Sequence, residues 1–178
     1  MNLNDLSTAI DDERRKTGTS FIAAAEKTRY INQGLQAISN GCDFYEQETT
    51  NSFSYVPGTS TYTINALSAI VPNHKTKDSV IAIAATSSNT KFFDRVNPED
   101  FKHLDTGNRF AISGRDLWVM HDGKSGDTLN VRYVSNYVGY TSGATLSASL
   151  TASTDEPLND IDPEAIIAYA LYKIFKKE

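Results

Sequence analysis

One cysteine, Cys42, leaves nothing with which to form an intramolecular disulfide, and no Cys or His stands near it at a metal-ligand spacing. Folding in a reducing compartment is therefore expected, with Cys42 as a small core residue. No apolar stretch approaches the roughly 18 residues of a membrane span. Asp5, Asp11, Asp12 and Glu13 stand where a secretory signal needs an apolar core. Neither secretion by that route nor membrane embedding is expected. Basic runs are equally scarce: the longest is Arg14-Arg15-Lys16, and 17 basic against 22 acidic residues give a formal charge of −5. Such a chain lacks the footprint for gripping phosphates, which disfavours tight sequence-specific DNA binding. An acidic surface still suits a channel through which DNA slides, because like charge keeps the polymer off the wall.

Motifs for chemistry are lacking too. Gly123-Lys124-Ser125 copies the end of a phosphate-binding loop, but Trp118 stands where that motif needs a glycine, and Thr128 to Val134 reads as a strand rather than a helix. A hairpin turn is the better reading. His121-Asp122 and His103 with Asp105 are the residue types of acid/base pairs and metal sites, yet no third partner stands at a recognisable spacing. His121 and Asp122 are expected at a solvated turn tip. Tyr45, Phe53, Tyr55, Tyr62, Trp118, Tyr133, Tyr137 and Tyr140 could stack on sugars or bases, but at strand positions they fit cross-strand pairing and core filling better.

What is present is an ordinary globular composition, 39% hydrophobic and 22% charged over 178 residues, enough for one domain with a core of its own. Leu3, Leu6 and Ile10 recur at helical spacing and lead to Arg14-Arg15-Lys16 before Gly18, so a short first helix is expected. Ser20 is placed to cap a second helix whose stripe is Phe21, Ala24, Ala25, Thr28, Ile31, Leu35 and Ile38, stopped by Asn40-Gly41. Together they predict a helical hairpin over 1–41.

From Phe44 the period turns to alternation, and strands are expected at 44–50, 52–56, 61–65, 80–85, 91–96, 109–112, 116–120 and 127–134. Turns at Pro57-Gly58, Ser113-Gly114-Arg115 and Asp122 to Gly126 predict two hairpins, 109–120 and 116–134. Asn97-Pro98-Glu99-Asp100 opens a helix over 98–104. The β subdomain thus covers 42–140. Residues 141–161 begin with a Thr/Ser/Ala-rich stretch, 141–154, expected as an extended arm or loop that orders on contact with a partner. Asp162-Pro163-Glu164 opens a last helix over 162–178 that is apolar on nearly every face, so a core beside the hairpin or a subunit interface must cover it. The ending, Lys176-Lys177-Glu178, leaves room for a longer native C-terminus. The fold class read from these elements is α+β: one domain in which the N-terminal hairpin and C-terminal helix pack together, with a central antiparallel β subdomain.

The order of these features resembles the head-to-tail connector adaptors of tailed bacteriophages, the family that includes tail tubular protein A-like gatekeepers. The matching segments are Leu3-Asn4-Asp5-Leu6 with Tyr30-Ile31-Asn32-Gln33-Gly34-Leu35, then Phe44-Tyr45, then Phe53-Ser54-Tyr55-Val56-Pro57-Gly58 with Tyr62-Thr63-Ile64. Arg109 to Val119, Leu129-Asn130-Val131-Arg132-Tyr133, and Asp155-Glu156-Pro157 through Leu171 complete them. The specificity lies in their order, which spans nearly the whole chain.

The resemblance implies a non-catalytic virion protein without a cofactor. It implies a ring, commonly twelvefold in such proteins, formed with neighbouring copies beneath the portal protein. The ring extends a channel for DNA, without sequence-specific binding, and offers a platform to a downstream tail or neck protein. Its location would be the virion neck, and the host cytoplasm during assembly. By the same analogy, arm 141–154 and the last helix are candidates for assembly contacts, with Ile166, Tyr169, Leu171, Tyr172, Phe175, Lys176 and Lys177 as the interface residues. The competing readings are another tail or neck component, a β-rich sugar-binding module centred on Trp118, and an enzyme using His103 and His121.

Overall fold

The computed structural model describes residues 1–17, 22–57, 62–86, 92–123, 125–142 and 144–177. In chain order its elements are α1 (Leu3–Thr17), α2 (Ala24–Gly41), β1 (Glu48–Ser54), β2 (Tyr62–Ala66), α3 (Leu67–Ile70), β3 (Val80–Ala85), β4 (Asp94–Arg95), α4 (Pro98–Phe101), β5 (Arg109–Ser113), β6 (Asp116–Met120), β7 (Thr128–Val134), β8 (Gly139–Tyr140), β9 (Leu146–Ser147), β10 (Glu156–Pro157) and α5 (Pro163–Lys177). The class is α+β, with N-terminal helices and a C-terminal helix beside antiparallel and mixed sheets. The chain divides into two compact units, Met1–Gln47 with Asn136–Glu178, and Glu48–Ser135.

In the first unit α5 packs against both α1 and α2. Leu6, Ile10, Ile31, Leu35, Ile166, Ala170 and Ile174 form its core, which Val138, Leu150, Leu158 and Ile161 complete. The helices therefore bury one face of α5, Ile166, Ala170 and Ile174, while Ala165, Ala168, Tyr172 and Phe175 stay exposed. Helix α2 starts later than expected: Ala23 is its extended N-cap and makes no side-chain bond. Ser20 and Phe21, expected as its cap and first stripe residue, lie outside the described residues. Ala24 and Ala25 are exposed, and the buried stripe runs through Lys27, Tyr30, Ile31, Gly34 and Leu35. Lys27 is the reason an apolar count misses it, since its stem is buried while its ammonium pairs with Asp11 on α1 at 2.5 Å.

The stretch 141–154 is no free arm. Strands β10, β8 and β9 form a small antiparallel sheet, and Leu150 is fully buried. Two amides on α2 hold it: Asn32 Nδ2 donates to the Leu150 carbonyl while Oδ1 accepts the Leu150 N–H, both at 2.8 Å, and Gln36 donates to Ala148 O at 2.8 Å. These bonds satisfy a backbone that helix or sheet partners do not.

The second unit is two sheets, β1-β7-β3 and β2-β6-β5-β4, over a shared core of Tyr55, Ile83, Leu129, Val131, Tyr133, Phe110, Leu117 and Val119. The second sheet is mixed, because β4 runs parallel to β5. The expected strands 44–50 and 52–56 are one strand, β1, preceded by a 3₁₀ turn at Tyr45–Gln47, and the strand expected at 91–96 shrinks to β4. The 109–120 hairpin forms as expected, with Ser113 opposite Asp116 and Gly114 at φ 61° in the turn. The 116–134 hairpin does not. β6 pairs with β2 and β5, whereas β7 pairs with β1 and β3, so the Asp122 to Gly126 turn carries the chain from one sheet to the other. Helix α4 has the expected cap, Asn97 Oδ1 accepting the Glu99 N–H at 3.0 Å, but ends at the buried Phe101.

Candidate functional site

Helix α5 begins where Asp162 Oδ1 accepts the Glu164 N–H at 2.9 Å and Pro163 fixes the first helical residue. Its inner row is Ile166, Ala170 and Ile174, all at 1% exposure or less. Of the candidate interface residues, Ile166 is thus a core residue of the first unit and unavailable to a partner there without unfolding. Tyr169 and Leu171 are half-buried, Tyr169 lying on Gly34 of α2, where an added Cβ would meet Tyr169 Cδ1 at 3.2 Å. Tyr172 and Phe175 are 56% and 42% exposed, and Lys176 is exposed beside them. The Lys177 side chain lies outside the described ones. Lys173 and Lys176 lie over the Tyr169 and Tyr172 rings, at 5.3 and 5.7 Å from the centroids. The C-terminal turns of α5 therefore present two solvated rings, Tyr172 and Phe175, with the Lys176 ammonium over the first.

A cleft of about 540 Å³ lies before the start of α5, lined by Tyr140, Thr141, Ser142, Thr154, Glu156 and Asn159. Glu46 braces it by accepting from the Asn159 N–H at 2.8 Å and Nδ2 at 2.6 Å. Burial raises the Tyr140 phenol above its ordinary value, and the nearby carboxylates of Glu46 and Asp160 raise it further. Both causes mark a site that disfavours added negative charge. Gly139 behind it permits close approach of β8 and β10, since a Cβ there would collide with the Glu156 carbonyl. Arm composition alone gave no signal for this cleft, because Glu46 and Asn159 are 113 residues apart in sequence.

In the second unit His121 is not at a solvated tip. Its side chain is 7% exposed, edge-on to Tyr55 at 5.4 Å and tilted against Phe93 at 5.3 Å. Asp127, rather than Asp122, is its carboxylate partner, at 3.1 Å from Nε2, and Asn108 Oδ1 lies 2.7 Å from Nδ1. The same Asn108 oxygen accepts the Asp122 N–H at 3.2 Å, which fixes the amide's orientation. Each nitrogen is thereby engaged inside the turn that switches sheets. The group holds the turn as a structural clasp, joining residues 108, 121, 122 and 127. His103 and Asp105 are exposed and no described bond joins them. Lys124 of the rejected phosphate-loop pattern lies outside the described residues, and β7 follows it as expected.

The aromatics divide. Tyr55 and Tyr133 fill the core, whereas Tyr45 is 83% exposed against expectation. Trp118 is half-buried, stacked on Tyr62 at 6.1 Å, edge-on to Phe101 at 5.9 Å and under Lys102 at 5.7 Å. Cys42 is exposed rather than a core residue, because it caps the end of α2, its N–H donating to Ile38 O. Among the described residues no three His, Cys, Asp or Glu side chains converge as metal ligands, and no helix is long and apolar enough to cross a membrane. No protein-family model and no curated protein sequence matches the chain.

Proposed function

We propose that this chain is a structural protein of a tailed-phage virion, an adaptor of the head-to-tail connector that forms a ring below the portal. The ring extends the DNA channel and carries the attachment surface for the tail or neck. The observation that carries the reading is architectural: a body of N-terminal helices and C-terminal helix, interrupted in sequence by a separate β unit, in the order that the sequence resemblance calls for. Two units with distinct surfaces give one subunit faces for a neighbour, for the portal and for the tail, which a ring of heterologous contacts needs. The acidic charge balance suits a wall past which DNA moves without sticking.

Phage lacking the gene test it. The expected outcome is DNA-filled heads and separate tails that join into infectious particles when the purified chain is added. Normal tailed particles in its absence would overturn the proposal.

A further inference from the structure

We infer that the first unit associates head to tail with a second copy of itself, the last turns of α5 in one copy seating Tyr172 and Phe175 in the acid-rimmed cleft of the next. The inference rests on the ring reading above and supplies its contact surfaces. Both surfaces belong to one compact unit. The cleft residues Glu156 and Asn159 precede α5, while Phe175 lies 12 residues after Pro163, about 18 Å along the axis. A helix packed on α1 and α2 cannot fold its own end back over that length, so Tyr172 and Phe175 can reach such a cleft only in another copy.

Charge selects which one. Lys173 and Lys176 have no carboxylate partner among the described residues, and Glu156 has no cation. Glu46 and Asp160 add negative charge beside Tyr140. An acidic rim repels nucleic acid and receives an ammonium-bearing aromatic turn. The cleft, at about 540 Å³, is in the size range that takes such side chains. Two different surfaces of one compact unit make a contact that repeats from copy to copy, closing into a ring where the rotation allows.

Sedimentation velocity of the full chain tests this. The wild-type chain should form concentration-dependent oligomers that weaken as salt rises. Lys176→Glu, Glu156→Lys and Phe175→Ala should each weaken association about tenfold. The double variant Lys176→Glu/Glu156→Lys should recover most of that loss, with circular dichroism melts unchanged because all three positions are exposed. A chain that stays monomeric at about millimolar concentration, a double variant as weak as the singles, or oligomers indifferent to Phe175→Ala would each overturn the inference. Oligomers that form through these surfaces but never bind portal-bearing heads would overturn the connector proposal alone, and heads completed equally well by the single charge variants would overturn this inference alone.

Discussion

Asp155 is 2% exposed, yet its carboxylate is stabilised rather than neutralised: it accepts the Thr151 and Ala152 N–H groups at 2.7 and 2.8 Å. These backbone bonds outweigh burial and hold its pKa below the ordinary 3.8. A depressed carboxylate contributes stability above its unfolded value and loses it as pH falls through the folded one. Asp155→Asn should therefore cost about 1 to 3 kcal/mol near neutrality. The gap between wild type and variant should close in urea titrations carried below the ordinary carboxylate range. A gap that persists there would contradict the role given to the charge. Gly139 makes a second residue-scale prediction. An alanine Cβ would meet the Glu156 carbonyl and approach Leu150 Cδ2 to 2.7 Å, so Gly139→Ala should lower stability by about 1 to 3 kcal/mol in the same assay. Neither residue announces itself in the sequence, because what makes each matter is a backbone group brought up by the fold.

At the scale of elements, α5 separates two kinds of position that its apolar sequence makes look alike. Ile166→Ala removes a fully buried side chain from between three helices and should cost about 2 to 4 kcal/mol. Tyr172→Ala, on the same helix, should stay within about 0.5 kcal/mol of wild type in a thermal melt of the dilute, monomeric chain. Equal losses there would mean that Tyr172 is packed within its own subunit. Helices α1, α4 and α5 and the 109–120 hairpin were legible because period, caps and turn residues act within a few positions. The start of α2, the single strand β1 and the pinned stretch 144–154 were not. Their determinants are remote: Asn32 binds Leu150 across 118 residues, and β1 pairs with β7 rather than with its neighbour in sequence. The 116–134 hairpin failed for a related reason, since a glycine-rich turn looks the same whether it joins two strands of one sheet or two sheets. Of the candidate site, the existence of α5 could be read in advance, but not which of its apolar residues stay exposed, and the cleft could not be read, being assembled from Glu46 and residues 140–159.

At the scale of the whole molecule, the division into a helical unit and a β unit leaves one chain with several independent faces. In a repeating assembly each face meets the same partner in every copy, so the number of copies follows from the symmetry of whatever the chain docks on. A connector adaptor must match the portal it sits beneath, whereas a tail-tube or capsid component is present in large excess over it. Quantitative mass spectrometry of purified virions, comparing copies of this chain with copies of the portal protein, is the direct measurement. The adaptor proposal predicts a ratio near one; a large excess, or absence of the chain from the particle, would contradict it.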